Sequence, residues 1–153
     1  MDKDKLIAGS IVEYKTPQGM TYTFDQVELL QDLAASNDVA KIESMIKNNS
    51  HLVHARDSDG WQALHIAALQ GNLNSVKMLV EIGEADINSL GGPLLEGENN
   101  KQILSGGSVL WVSLHYGQLQ SDHPVVSFLK SIGAKMILPP KLSQLTKKKN
   151  GLL

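Results

Sequence analysis

Asp57–Asn88, DSDGWQALHIAALQGNLNSVKMLVEIGEADIN, is the stretch that decides how this chain folds. Asp59-Gly60 is a turn signal, because glycine takes positive φ cheaply and aspartate bonds nearby backbone amides. After it, Leu64, Ala67 and Ala68 recur at helical spacing, and the small alanines leave room for a neighbouring helix to pack closely. Gly71 is placed to stop that helix as a left-handed C-cap. Leu73, Val76, Leu79 and Val80 then form the apolar stripe of a second helix, which Gly83 ends. The unit is a turn, two antiparallel helices and a closing loop. It cannot bury its own apolar face, so neighbours must stack on it.

Working outward, Leu30 set on Leu64 gives a period of about 34 residues. On that register Ile42, Met45 and Ile46 fall on Val76, Leu79 and Val80, while Ser36-Asn37-Asp38 joins the helices with one residue fewer than Leu69-Gln70-Gly71-Asn72. Asp25-Gln26-Val27-Glu28 has the form of a helix N-cap with a reaching glutamate. Before it, Ile11–Phe24 alternates apolar and polar residues around Thr16-Pro17-Gln18-Gly19, which predicts a β-hairpin. An isolated hairpin is marginal in water, so it is expected to lie against the first helices and shield the open end of the array; a docking edge strand is the alternative. Toward the C-terminus, Ser89–Gly107 contains five glycines, one proline and two asparagines and reads as an inserted loop. Ser108–Ser113 then maps onto Gln62–Ala67, and His123–Leu129 opens another second helix with Asp122 as its cap and Pro124 in its first turn. The expected organisation is a flexible start at 1–10, a hairpin at 11–24, repeats at about 25–56, 57–88 and 106–137 with an insert at 89–105, and a flexible basic tail at 138–153.

Asp59-Gly60, Leu64-His65, Ala67-Ala68, Gly71, Val76, Leu79-Val80, Gly83 and Ala85-Asp86-Ile87-Asn88 together resemble one whole ankyrin repeat. The sequence departs from that family where Gln62-Ala63 replaces the usual Thr-Pro, and where Ile82-Gly83-Glu84-Ala85 carries one extra residue. His54 stands where asparagine usually ties the turn to the backbone, a task a ring nitrogen could take over. The resemblance implies an all-α ankyrin solenoid of about three repeats, capped by the N-terminal hairpin. It also implies a non-enzymatic module that binds a protein partner through its concave face. The positions that would line this face are Asp32, Ala35 and Ser36, then Trp61, Ile66, Leu69 and Gln70, then Val112 and Tyr116. A Trp with Ile and Leu there suggests an apolar anchor, since aromatic residues dominate many interfaces. Alternatively, the hairpin or the long insert folds over this patch. The third repeat is also similar to divergent ankyrin units that precede iron/2-oxoglutarate oxygenases of the prolyl-hydroxylase type in microalgae and protists. A recognition domain of a split or truncated oxygenase is therefore the second reading. Asn88, within Ala-Asp-Ile-Asn, fits the site that asparaginyl hydroxylases modify in the family.

Chemistry finds little support. The formal charge is −2, so no overall field draws the chain to nucleic acid or membrane. Without cysteine there are no disulfides, thiolate metal sites or cysteine nucleophile. None of His51, His54, His65, His115 or His123 begins the H-x-D/E pair an oxygenase uses to hold iron, and turn and packing roles account for all five. Ser121-Asp122-His123 is adjacency, not triad geometry, and no phosphate loop or G-x-S-x-G elbow is present. No cofactor and no metal are expected. With no signal peptide or apolar run of spanning length, a monomeric cytoplasmic protein is expected, Lys147-Lys148-Lys149 giving nuclear import as an alternative.

Overall fold

Three helix pairs stack side by side in the computed structural model, which describes residues 13–15, 21–97 and 102–141. They are α1 (Phe24–Ser36) with α2 (Val39–Asn48), α3 (Ala63–Leu69) with α4 (Leu73–Lys77), and α5 (Val109–His115) with α6 (Pro124–Ser131). The first helices pack in the order α1–α3–α5 and the second helices in the order α2–α4–α6. Ala34, Ala67 and Ala68 are completely buried between first helices, which is why no larger residue stands there. Ile42, Val76, Leu79, Val125 and Leu129 close the core among the second helices. The architecture is all-α, and among the described residues strands are confined to two short hairpins.

Capping differs from the sequence reading at both ends. Thr23, not Asp25, caps α1: Gln26 N donates to Thr23 Oγ1 (3.1 Å), and Thr23 N donates to Gln26 Oε1 (2.8 Å). Asp25 instead lies in the first turn, where its charge suits the helix dipole. His123, not Asp122, caps α6, its Nδ1 accepting from Val125 N (3.0 Å), with Pro124 at the first helical position as expected. Gly83 keeps a right-handed conformation; Glu84 takes the left-handed one. The extra residue there is absorbed by a π-turn over Met78–Ile82, with Gly83 N bonded to Met78 O at 3.1 Å.

The shortened link after α1 works because Asn37 does what Gly71 does one repeat later, with φ of 61° against 76°. Its Oδ1 also accepts from Ser75 N (3.1 Å) and Ser75 Oγ (2.7 Å), while Asn72 Nδ2 donates back to Ala34 O (2.8 Å) and Ala35 O (2.9 Å). Asn37→Ala is expected to cost about 2 kcal/mol, because it combines a left-handed alanine with two lost hydrogen bonds. Asn37→Gly restores the backbone alone and should recover only part of that loss, both read by urea unfolding.

Strands β1 (Glu13–Lys15) and β2 (Thr21–Thr23) pair antiparallel, Tyr14 opposite Tyr22. The β2 strand runs directly into α1, and Tyr22 packs against the core edge with its ring 5.9 Å from that of His51. The expected turn at 16–19, the start at 1–10 and the lysines at 147–149 lie outside the described residues. The insert at 89–105 is not structureless: β3 (Leu94–Glu96) pairs antiparallel with β4 (Gln102–Leu104), forming a second hairpin. Leu90 and Ser108 form a bridge at its base.

Candidate partner-binding surface

The turn before α3 is built by Asp57, whose Oδ1 accepts from Asp59 N and Trp61 N, both at 2.9 Å. Gln31 Nε2 donates to Trp61 O (2.8 Å) and fastens this turn to α1. Behind it lies a polar network. Arg56 donates to Gly60 O (2.8 Å), Leu90 O (2.6 Å) and Ser89 Oγ (3.2 Å). Ser89 Oγ donates to Gln62 Oε1 (2.5 Å), and Gln62 Nε2 donates to His54 O (3.0 Å). The tie expected from the His54 ring thus runs through its carbonyl, and the ring is exposed. Burial lowers the Arg56 pKa, a shift that Asp86 opposes.

His65 is completely buried at the centre of this network. Its Nδ1 accepts from Gln62 N (3.2 Å), so Nε2 carries the proton toward Ser89 O (3.1 Å). Burial pushes its pKa down to about 4, the nearby Arg56 adding to the effect and the bond to Ser89 O opposing it. The imidazole is a neutral fastener between successive turns. No group of three or more metal-ligating side chains occurs among the described residues.

An aromatic cluster stands in front of this network. The Trp61 indole is half-buried beneath the base of the second hairpin. A Cβ on Gly91 would overlap its ring, and one on Gly106 would come within 2.7 Å of Cη2. The insert therefore does fold over Trp61, in part. Tyr116, at the end of α5, is 55% exposed and meets Trp61 edge-on with ring centroids 5.8 Å apart. Trp111 also meets Tyr116 edge-on, at 5.3 Å, and stacks on His115 at 4.4 Å.

Of the residues expected on this face, Trp61 and Tyr116 come into contact. Ile66 and Leu69 are half-buried along α3, Gln70 is exposed just beyond it, and Asp32 is exposed on α1 beside Gln31. Val112, expected beside Tyr116, is fully buried. The cluster member that the sequence reading missed is Trp111, which falls at the position of His65 once Ser108 is set on Gln62. There Ser108 replaces the histidine as fastener: its Oγ donates to Lys135 O (2.8 Å) and accepts from Ile137 N (3.0 Å). Asn88 Oδ1 accepts from Lys135 N (2.8 Å), which fixes its carboxamide in the closing loop.

Residues 30–80, which include α2, α3 and the buried His65, match the profile of the family described as ankyrin repeats. Residues 30–80 are ankyrin repeats. A serine/threonine-protein kinase of Arabidopsis thaliana, VIK, is 43% identical over 56 residues, which make up 37% of this chain and 13% of the kinase. The similarity thus spans a small part of that relative's length. Ankyrin repeats are generally protein–protein interaction modules and are typically non-catalytic. No helix among the described residues is long and apolar enough to cross a membrane.

Proposed function

We propose that this chain is a non-enzymatic, monomeric and cytoplasmic interaction module that binds a protein partner through the concave face of its ankyrin array. The observation that carries this reading is Tyr116, a large aromatic ring held upright by two indoles yet 55% exposed. An exposed ring that has already lost its rotational freedom loses little more on binding, and buried Tyr and Trp anchor many interfaces. Asp32, Trp61, Ile66, Leu69 and Gln70 complete the proposed contact face. Residues 25–137 form the functional unit, with the first hairpin shielding its N-terminal end.

The test is capture of a partner from native lysate by the wild-type chain beside a Leu69→Glu, Tyr116→Ala variant whose circular dichroism is unchanged. A protein retained by the wild type and lost by the folded variant is the expected result. Equal capture by both would place binding elsewhere and defeat this reading. The match to part of a plant kinase favours a second one: the same face serves as the recognition domain of a larger enzyme, whether a kinase or the oxygenase suggested by the third repeat. In that case the captured protein would be a substrate of a catalytic domain found on the full-length transcript.

A further inference from the structure

Charge is sorted between the two helix layers. The first helices carry Asp25, Glu28 and Asp32, all exposed, and no lysine or arginine. Lys41, Lys47, Lys77 and Lys130 all lie on the second helices, where Glu43 pairs with Lys47 (2.8 Å) and Lys77 lies over the Phe128 ring. The one arginine near the first-helix face, Arg56, is consumed by three hydrogen bonds inside the turn network. Asp25, Glu28 and Asp32 form no ion pair among the described residues.

The acidic strip lies on α1, the helix that fastens the Trp61 turn through Gln31. Glu28 stands one turn before Gln31 on the α1 surface, at i−3, with Asp25 and Asp32 at i−3 and i+4 from Glu28, and Gln31 reaches the Trp61 carbonyl. Asp59 adds another exposed carboxylate at the tip of the same turn. On the other side of Trp61 stands Tyr116, whose ring offers an electron-rich face.

We propose that the partner segment is basic: an extended stretch rich in arginine and lysine, with one guanidinium or ammonium on Tyr116 and further cations along Glu28, Asp32 and Asp25. This rests on the concave-face reading above and specifies its ligand. The carboxylates would steer the segment in through a salt-sensitive attraction, and the preorganised ring would hold it through cation–π contact. An acidic or neutral segment meets the same ring without the complementary field.

The test uses the full chain and three fluorescein-labelled dodecapeptides of one scaffold, carrying four arginines, four glutamines or four glutamates, followed by anisotropy at low and physiological salt. The arginine peptide is expected to bind at least tenfold more tightly than the glutamine peptide, with affinity falling as salt rises. Asp25→Asn, Glu28→Gln, Asp32→Asn together should weaken it about tenfold. The same charge change on the second-helix layer, Glu43→Gln, Glu81→Gln, Glu84→Gln, should leave it nearly unchanged, and Tyr116→Ala should weaken it severalfold. Equal losses in the two triple variants would reduce the effect to net charge and overturn the proposal. Tyr116-dependent binding of the glutamine or glutamate peptide in preference to arginine would also overturn it while leaving the concave-face reading standing. Absence of binding by all three peptides refutes the basic ligand, and the lysate capture then decides the concave-face reading by itself.

Discussion

Gly60→Ala is expected to lower the stability of the array by about 3 kcal/mol and its melting temperature by roughly 10 °C. Two costs combine at this position. With φ of +86° the residue sits in the left-handed region, where a side chain costs about 1–2 kcal/mol. The added Cβ would also overlap the carbonyl of Gly92, a backbone atom at the base of the second hairpin that no rotamer change can move aside. The turn and the hairpin base must therefore separate, which uncovers the Trp61 indole and strains the Arg56 bonds to Gly60 O and Leu90 O. Gly133→Ala isolates the first cost: φ is +90° there, but nothing lies within 4 Å of the new Cβ. Gly60→Ala should lower the melting temperature roughly twice as far as Gly133→Ala, and only Gly60→Ala should weaken the near-ultraviolet tryptophan signal. Equal, small losses in both would show that the turn and the hairpin base do not pack as described.

The helical layers were legible in the sequence because they depend on local periodicity. Leu64, Ala67 and Ala68 dictate a tightly packed first helix whatever the partner, and Gly71 does adopt the left-handed stop that its position requires. What remained hidden depends on contacts between distant residues. Asp25-x-x-Glu28 and Thr23-x-x-Gln26 are both capping patterns, and only the strand running into Thr23 favours the second. The five glycines of Ser89–Gly107 masked Leu94-Leu95-Glu96 and Gln102-Ile103-Leu104, whose pairing with each other makes a hairpin. Gly91 and Gly106 are small for a different reason than flexibility: the Trp61 indole passes against them. The candidate site was half visible. Trp61 and Tyr116 stood out as aromatic residues at first-helix and turn positions, whereas the part of Trp111 depends on its contact with Tyr116, which spacing alone does not show.

Acidification should destabilise this protein through His65, by on the order of 3 kcal/mol between pH 6.5 and pH 4. In the unfolded chain this imidazole takes up a proton near its ordinary pKa of 6.5, but in the folded protein only at about 4. Between those values the unfolded state therefore holds more protons, so falling pH favours unfolding; below about 4 both states are protonated and the effect stops growing. The geometry explains the resistance. Nδ1 already accepts from Gln62 N and Nε2 already points at Ser89 O, so a second ring proton would set Nδ1–H against an amide N–H in a site without water contact. His65→Leu removes the titration together with both hydrogen bonds. It should cost about 2–3 kcal/mol at neutral pH, by leaving the Gln62 amide and the Ser89 carbonyl unpaired, and should flatten the dependence between pH 6.5 and pH 4. The difference between wild type and variant isolates the histidine from every group the two proteins share. Urea unfolding at half-unit pH steps measures that difference, and NMR titration of the His65 ring measures its pKa directly. A ring that titrates near 6.5, or a variant that keeps the wild-type slope, would mean that the fastener between these turns is not His65.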